Sequence, residues 1–246
     1  MDLFASSWLE VHAGIMSEGG WREWERSFFS MLRKGQEVLY LVFTPLQQRQ
    51  AFQKLFAGGQ QVWRGEGVFV FDTFFRRLAE EIFYACQQDR KLISWLGEYV
   101  LLEWILRQQG GVGEDFSFSG WVRKILKLVG EVKVNYLGGE ESPLGRFCRR
   151  IGRGAQKKLI YHVLKEFDNI LQERGLADGE DALFFLAQKM AEEEVLERVL
   201  RGKAFLILEG VDDLSLLDQL LLRRIIPRMK RTLGGMLGGG ESGFDL

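Results

Sequence analysis

Three short apolar runs, each followed at once by a segment of helical period, constrain this 246-residue chain more than any other feature. Val38–Val42, Val68–Phe71 and Ala204–Leu208 read as strands buried on both faces, with Leu9–His12 as a weaker fourth. A strand without polar alternation needs cover on both sides, and helical patterns opening near Leu46, Phe74 and Ser215 supply it. The expected class is therefore α/β, a parallel sheet assembled from strand–helix units. A hydrophobic content of 46% provides for a sizeable core.

From about residue 88 to 200 the strand signal gives way to helical spacing. Trp95, Tyr99, Leu102 and Leu106 make one stripe, Trp121, Ile125, Leu128, Val132 and Tyr136 a second, and Leu159, Val163, Phe167 and Ile170 a third. Glycines at 110–113 and 138–139, with Pro143 beyond, punctuate the helices. The expected organisation is an α/β domain made of 1–87 and 201–246, interrupted by an all-helical insertion over 88–200. Leu233–Leu246 holds six glycines and reads as a linker or a ragged end.

The region after Leu9–His12 has the order of a phosphate-binding loop. Gly14 and Gly19 stand at the interval of G-x-x-x-x-G-K-[ST], and Trp21, Trp24, Phe28 and Leu32 open a helical face behind them. The chemistry is missing, however. Gly20 occupies the lysine position and Trp21 the hydroxyl position, so only a backbone cradle would remain, with Glu18 placing negative charge inside it. The same two glycines also suit an ordinary turn.

Three further segments bear on function. Val38–Val42 runs into Phe43-Thr44-Pro45 and a helix, Phe69-Val70-Phe71 runs into Asp72-Thr73-Phe74 and a helix carrying Arg76 and Arg77, and Phe205–Leu208 runs into Glu209-Gly210-Val211-Asp212-Asp213. Taken in this order they resemble the first half of the motor core of superfamily 1 helicases of the UvrD type. Within that group the chain is most similar to the N-terminal region of AddB, or RexB, the helicase-like nuclease subunit of the AddAB/RexAB recombination complex. Phe71-Asp72 before Arg76–Glu81, Gln172–Leu176 before Glu180-Asp181, and acid-Gly at Glu209-Gly210 carry that likeness.

The resemblance implies a P-loop NTPase-like sheet (helicase domain 1A) with a helical 1B insertion. It implies that Thr44 belongs to motif Ia, Asp72–Phe74 to motif Ib, and Glu209-Gly210 to the Walker B position. An active motor holds Mg²⁺ with the first Walker B carboxylate and orients water with the second. Here the second is Gly210, so with Gly20 and Trp21 both halves of the ATPase site are compromised. The resemblance thus implies a module without catalytic residues or cofactor, which guides single-stranded or end-of-duplex DNA and scaffolds an AddA/RexA-type helicase–nuclease subunit in double-strand break repair. The family's cluster cysteines lie in a C-terminal part that this chain does not contain.

DNA contact falls by position to Thr44, Thr73, Phe74, Arg76 and Arg77, where hydroxyls, cations and aromatics meet phosphates and bases. Phe75 is a neighbouring candidate. The plainer reading pairs Arg76 and Arg77 with Glu80 and Glu81 one helical turn on. A second candidate is the run Arg146, Arg149, Arg150, Arg153, Lys157 and Lys158, without an acid from Gly145 to Lys158; a solvated basic face fits it as well. Asp212, Asp213 and Ser215 suit helix capping better than metal ligation.

Two other classes stay open on the residues alone. One is a divergent active P-loop ATPase using Gly14–Gly19, Glu209 and a lysine from elsewhere such as Lys34; the other is a protein-interaction scaffold without DNA affinity. Thirty-three basic against 34 acidic residues leave no global field for a polyanion. Cys86 and Cys148 lack any metal-ligand spacing and fit free thiols in a reducing, cytoplasmic setting. No run of about 18 apolar residues is present, so no membrane partner is expected.

Overall fold

The computed structural model describes residues 8–12, 38–57, 68–86, 89–108, 118–135, 142–150, 155–203, 205–210, 214–229 and 231–235. The strands are β1 (Trp8–His12), β2 (Val38–Val42), β3 (Val68–Val70), β4 (Lys91–Leu92), β5 (Leu176–Ala177), β6 (Phe205–Glu209) and β7 (Arg231–Gly235). The helices are α1 (Pro45–Ala57), α2 (Phe71–Cys86), α3 (Trp95–Gln108), α4 (Phe118–Asn135), α5 (Pro143–Arg150), α6 (Ala155–Glu173), α7 (Gly179–Lys189), α8 (Glu193–Leu200) and α9 (Leu216–Ile225), the last continued by a 3₁₀ turn at Ile226–Arg228.

The chain divides into two compact units. The first comprises Met1–Arg77, Lys189–Leu214 and Gln219–Leu246; the second comprises Leu78–Gln188 and Ser215–Asp218. One division falls inside α2 and another after Gln188, rather than at residues 87 and 200 where the sequence pattern changes.

The first unit holds a five-stranded sheet in the order β1-β7-β6-β2-β3, with every pairing parallel. All five residues of β2 are buried, as a strand covered on both faces requires. The α/β class is therefore as read from the apolar runs. Two strand limits shift by one residue: α2 begins at Phe71 directly after β3, and β6 extends to Glu209. Of the stretch read as a linker, Leu233–Gly235 instead complete β7, which pairs β1 on one side and β6 on the other, and residues 236–246 lie outside the described residues. Arg231-Thr-Leu-Gly-Gly has one apolar side chain, so its place comes from two partner strands and not from its own periodicity.

The second unit is helical with one correction to the all-helical expectation. Lys91–Leu92 and Leu176–Ala177 form a short parallel ladder, β4 with β5. Gly175 makes it possible: it ends α6 with φ +59°, and a Cβ there would meet the Asp89 carbonyl at 3.0 Å. The core of this unit packs Leu102, Ile105 and Leu106 of α3 against Val122, Ile125 and Val129 of α4, Leu144 and Cys148 of α5, and Val163 and Phe167 of α6. Trp95 departs from its predicted stripe, since it is 60% exposed.

Candidate functional site

In an open parallel sheet, ligands bind beyond the carboxyl ends of the strands where the chain order reverses direction. Here the reversal lies between β2 and β6: from β2 the chain steps outward to β3, whereas from β6 it steps the other way to β7. The residues just past those two strands are Phe43-Thr44 and Gly210.

Thr44 starts α1 as its N-cap, and Pro45 follows at the first helical position, where a missing N–H costs nothing. The Thr44 hydroxyl accepts from the Gln47 amide at 3.2 Å, while Gln47 Oε1 accepts from the Thr44 N–H at 2.8 Å and the Phe43 N–H at 3.0 Å. This is a reciprocal capping box, T-x-x-Q. It satisfies from within two of the donors, the Thr44 and Gln47 N–H groups, that the start of a helix otherwise offers to a phosphate.

Gly210 faces the same glutamine. Its φ is +77°, and a Cβ there would lie 1.9 Å from Gln47 Nε2. The absence of a carboxylate at this position is thus also a packing requirement, because Gln47 occupies the space a side chain would need.

Glu209 lies one residue earlier at the end of β6 and is buried. Its carboxylate accepts a hydrogen bond from the Tyr40 hydroxyl. The register pairs Tyr40 with Ile207 and Val42 with Glu209, so the contact runs diagonally along one face of neighbouring strands. Burial, then the adjacent Glu209 charge, raises the Tyr40 phenol well above its ordinary value, and the group stays a hydrogen-bond donor. Glu209 also lies level with Gly235 of β7, which lies level with His12 at the end of β1. Gly14, Glu18, Gly19, Gly20, Trp21, Lys34, Asp212 and Asp213 lie outside the described residues.

Phe43 and Phe71 stack at 4.8 Å where β2 and β3 end side by side, fixing the starts of α1 and α2 as neighbours. Thr44, Asp72 and Thr73 are exposed there. Asp72 and Thr73 sit in the first turn of α2 and not in a connecting turn. Phe74 is half-buried against Phe69 and Phe75, whereas Phe75 is fully buried and packs on Phe71, which removes it as a base-stacking candidate. Arg76 pairs backward with Asp72, its Nε 2.8 and 2.9 Å from the two carboxylate oxygens, in place of the expected forward pair with Glu80. Arg77 is exposed.

In the other unit, Arg149 and Arg150 are exposed at the end of α5, and Lys158 is exposed near the start of α6. Arg153 and the side chain of Lys157 lie outside the described set. Ser215 caps α9 as expected: its hydroxyl accepts from the Asp218 N–H at 3.1 Å, and Asp218 accepts from the Ser215 N–H at 3.0 Å. Among the described residues no group of three or more His, Cys, Asp and Glu side chains is placed to hold a metal ion. No described helix is long and apolar enough to cross a membrane.

Two features of the sheet unit escape a reading of the sequence. Gln47 is signalled only by T-x-x-Q directly after a strand; Tyr40, inside an apolar run, carries no signal beyond its hydroxyl. A third, in the helical unit, is a buried ion cluster: Lys133 Nζ lies 2.5 Å from Asp178 Oδ2 and 2.8 Å from Asp181 Oδ1, and Arg90 Nη2 donates to the Leu176 carbonyl at 2.6 Å. Compared with protein-family models the sequence matches none, and no curated protein is significantly similar to it.

Proposed function

We propose that this chain is a catalytically degenerate helicase-like module of the AddB/RexB type, with a P-loop NTPase-like sheet, which guides single-stranded DNA and scaffolds an AddA/RexA-type helicase–nuclease subunit. The observation that carries the reading is the state of the β2/β6 reversal. The position that would serve Mg²⁺ is a buried glutamate held by Tyr40, the next is a glycine pressed on Gln47, and the adjacent helix start is capped by its own glutamine. A sheet arranged for nucleotide chemistry would leave those groups open to a ligand.

The DNA half of the reading rests on Thr44 and Thr73 at adjacent exposed helix starts and on the exposed Arg149, Arg150 and Lys158. Anisotropy of a labelled single-stranded oligonucleotide across a salt series, with and without ATP·Mg²⁺, tests both halves. The expected result is binding that weakens with salt and ignores ATP. A response to ATP overturns the degenerate-motor reading, and no binding at low salt overturns the DNA-guiding one.

A further inference from the structure

From Gly145 to Lys165 the chain carries seven lysines and arginines and no acid, and most of α5 and the first half of α6 are drawn from that stretch. Ser142, just before α5, donates its hydroxyl to Asp168 of α6, and Cys148 near the end of α5 lies 3.9 Å from the Tyr161 carbonyl, so α5 runs antiparallel to α6. The end of α5, with Arg149 and Arg150, therefore stands beside the first turns of α6. There Lys158, His162 and Lys165 are exposed at intervals of four and three, on the side of the helix away from Val163, Phe167 and Leu171 in the core.

Helical acids do not neutralise this face. Arg107 is paired with Glu103 and Lys127 with Glu131, each one turn away on its own helix. One turn after Lys158 stand Tyr161 and His162, and the same two residues stand one turn before Lys165. Asp168, one turn beyond Lys165, already accepts from the Ser142 hydroxyl and the Gln172 side-chain amide.

We infer that single-stranded DNA lies along this face of α6, with Lys158 and Lys165 on its phosphates and the Tyr161 and His162 rings against its bases. The inference rests on the DNA-guiding reading above and adds Tyr161, His162 and Lys165 to it. The two lysines are about 10 Å apart along the helix axis. Between them the half-buried Tyr161 ring lies 6.0 Å from Lys165 Nζ and meets His162 edge-on at 5.5 Å. Rings set among cations serve unpaired bases, whose faces are open to stacking; a duplex or an acidic protein would use the charges and leave the rings idle. The acid-free stretch ends at the exposed Glu166, which bounds the face at that point.

The test is the anisotropy of a labelled oligothymidylate on the full chain, with an unlabelled single strand, a duplex of equal length and poly-glutamate as competitors. Lys158→Glu/Lys165→Glu is compared with His162→Ala and with Arg107→Glu/Lys127→Glu, which changes the net charge equally at cations already paired. All these positions are exposed, and circular dichroism verifies that each variant folds. The lysine pair should lose at least tenfold in affinity and flatten the log–log salt dependence by about 1.4. His162→Ala should lose about fivefold and the control pair little. A lysine pair that binds as wild type does overturns the inference and leaves the DNA-guiding reading intact. A wild-type chain that does not bind at low salt overturns that reading and the inference with it. Equal losses in the lysine and control pairs overturn the inference, because binding then follows net charge. So does displacement by duplex or poly-glutamate as readily as by the single strand.

Discussion

Gln47 Nε2 lies where a side chain at Gly210 would have to begin, 1.9 Å from an ideal Cβ. The glutamine cannot simply swing away, because its Oε1 accepts the Phe43 and Thr44 N–H groups that start α1. Gly210→Ala therefore meets two penalties, a left-handed backbone at φ +77° and displacement of the capping box. The expected destabilisation is about 2–4 kcal/mol by urea unfolding, from ~1–2 for the backbone and ~1–2 for the cap. Gln47→Ala removes the second penalty, so the double variant should be less destabilised than the two single effects added together.

Tyr40→Phe keeps the ring and removes the hydroxyl that donates to Glu209. Loss of a hydrogen bond to a buried charged group should cost about 1–3 kcal/mol, whereas Glu209→Gln, which still accepts, should cost less. The phenol's folded-state pKa is raised above the unfolded value of 10.0. Its contribution is thus fully present below pH 10 and lost as pH rises through the folded value. Tyrosine absorbance at 295 nm should show one group titrating late, only as the protein unfolds in alkali, and absent from Tyr40→Phe.

How far the molecule is legible in its sequence depends on whether each signal is local. Val38–Val42 announces itself because five apolar residues in a row have few other places to go. Arg231–Gly235 does not, because a glycine-ended strand between two others is specified by its neighbours' hydrogen bonds. The candidate site divides in the same way. Thr44, Glu209 and Gly210 can be placed from motif order, but the Tyr40–Glu209 contact spans 169 residues and exists only once β2 and β6 pair. Helical spacing offers Arg76 a partner on either side, and Asp72 wins over Glu80 for a reason that spacing does not contain.

The cluster around Lys133 ties the stability of the helical unit to pH between about 4 and 6. Asp178 also starts α7, accepting from the Asp181 N–H at 2.9 Å, so its position is dictated by the helix. Burial raises its carboxyl from 3.8 to about 6 against the opposing pull of Lys133, whose own ammonium is held charged by the two aspartates. A carboxyl raised on folding binds its proton more tightly in the native state, so its contribution to stability falls as pH rises from about 4 to 6. The melting temperature of wild type minus that of Asp178→Asn should therefore increase as pH is lowered from 7 to 5. Lys133→Met, which leaves the buried Asp178 charge without the ammonium, should cost about 3–5 kcal/mol at pH 7.

DNA affinity should respond differently to the two groups of cations. Arg149 and Arg150 lie exposed on a segment of α5 that ends with both. Reversing them in Arg149→Glu/Arg150→Glu should lower single-strand affinity about tenfold or more at low salt and flatten the log–log salt dependence by about 1.4, at roughly 0.7 for each phosphate no longer neutralised. Arg76 is held by both oxygens of Asp72, so its removal should change affinity little. Asp72→Asn should instead strengthen binding, by releasing the guanidinium and removing a negative charge beside Thr73. An affinity unchanged by Asp72→Asn would mean that the start of α2 does not face the strand.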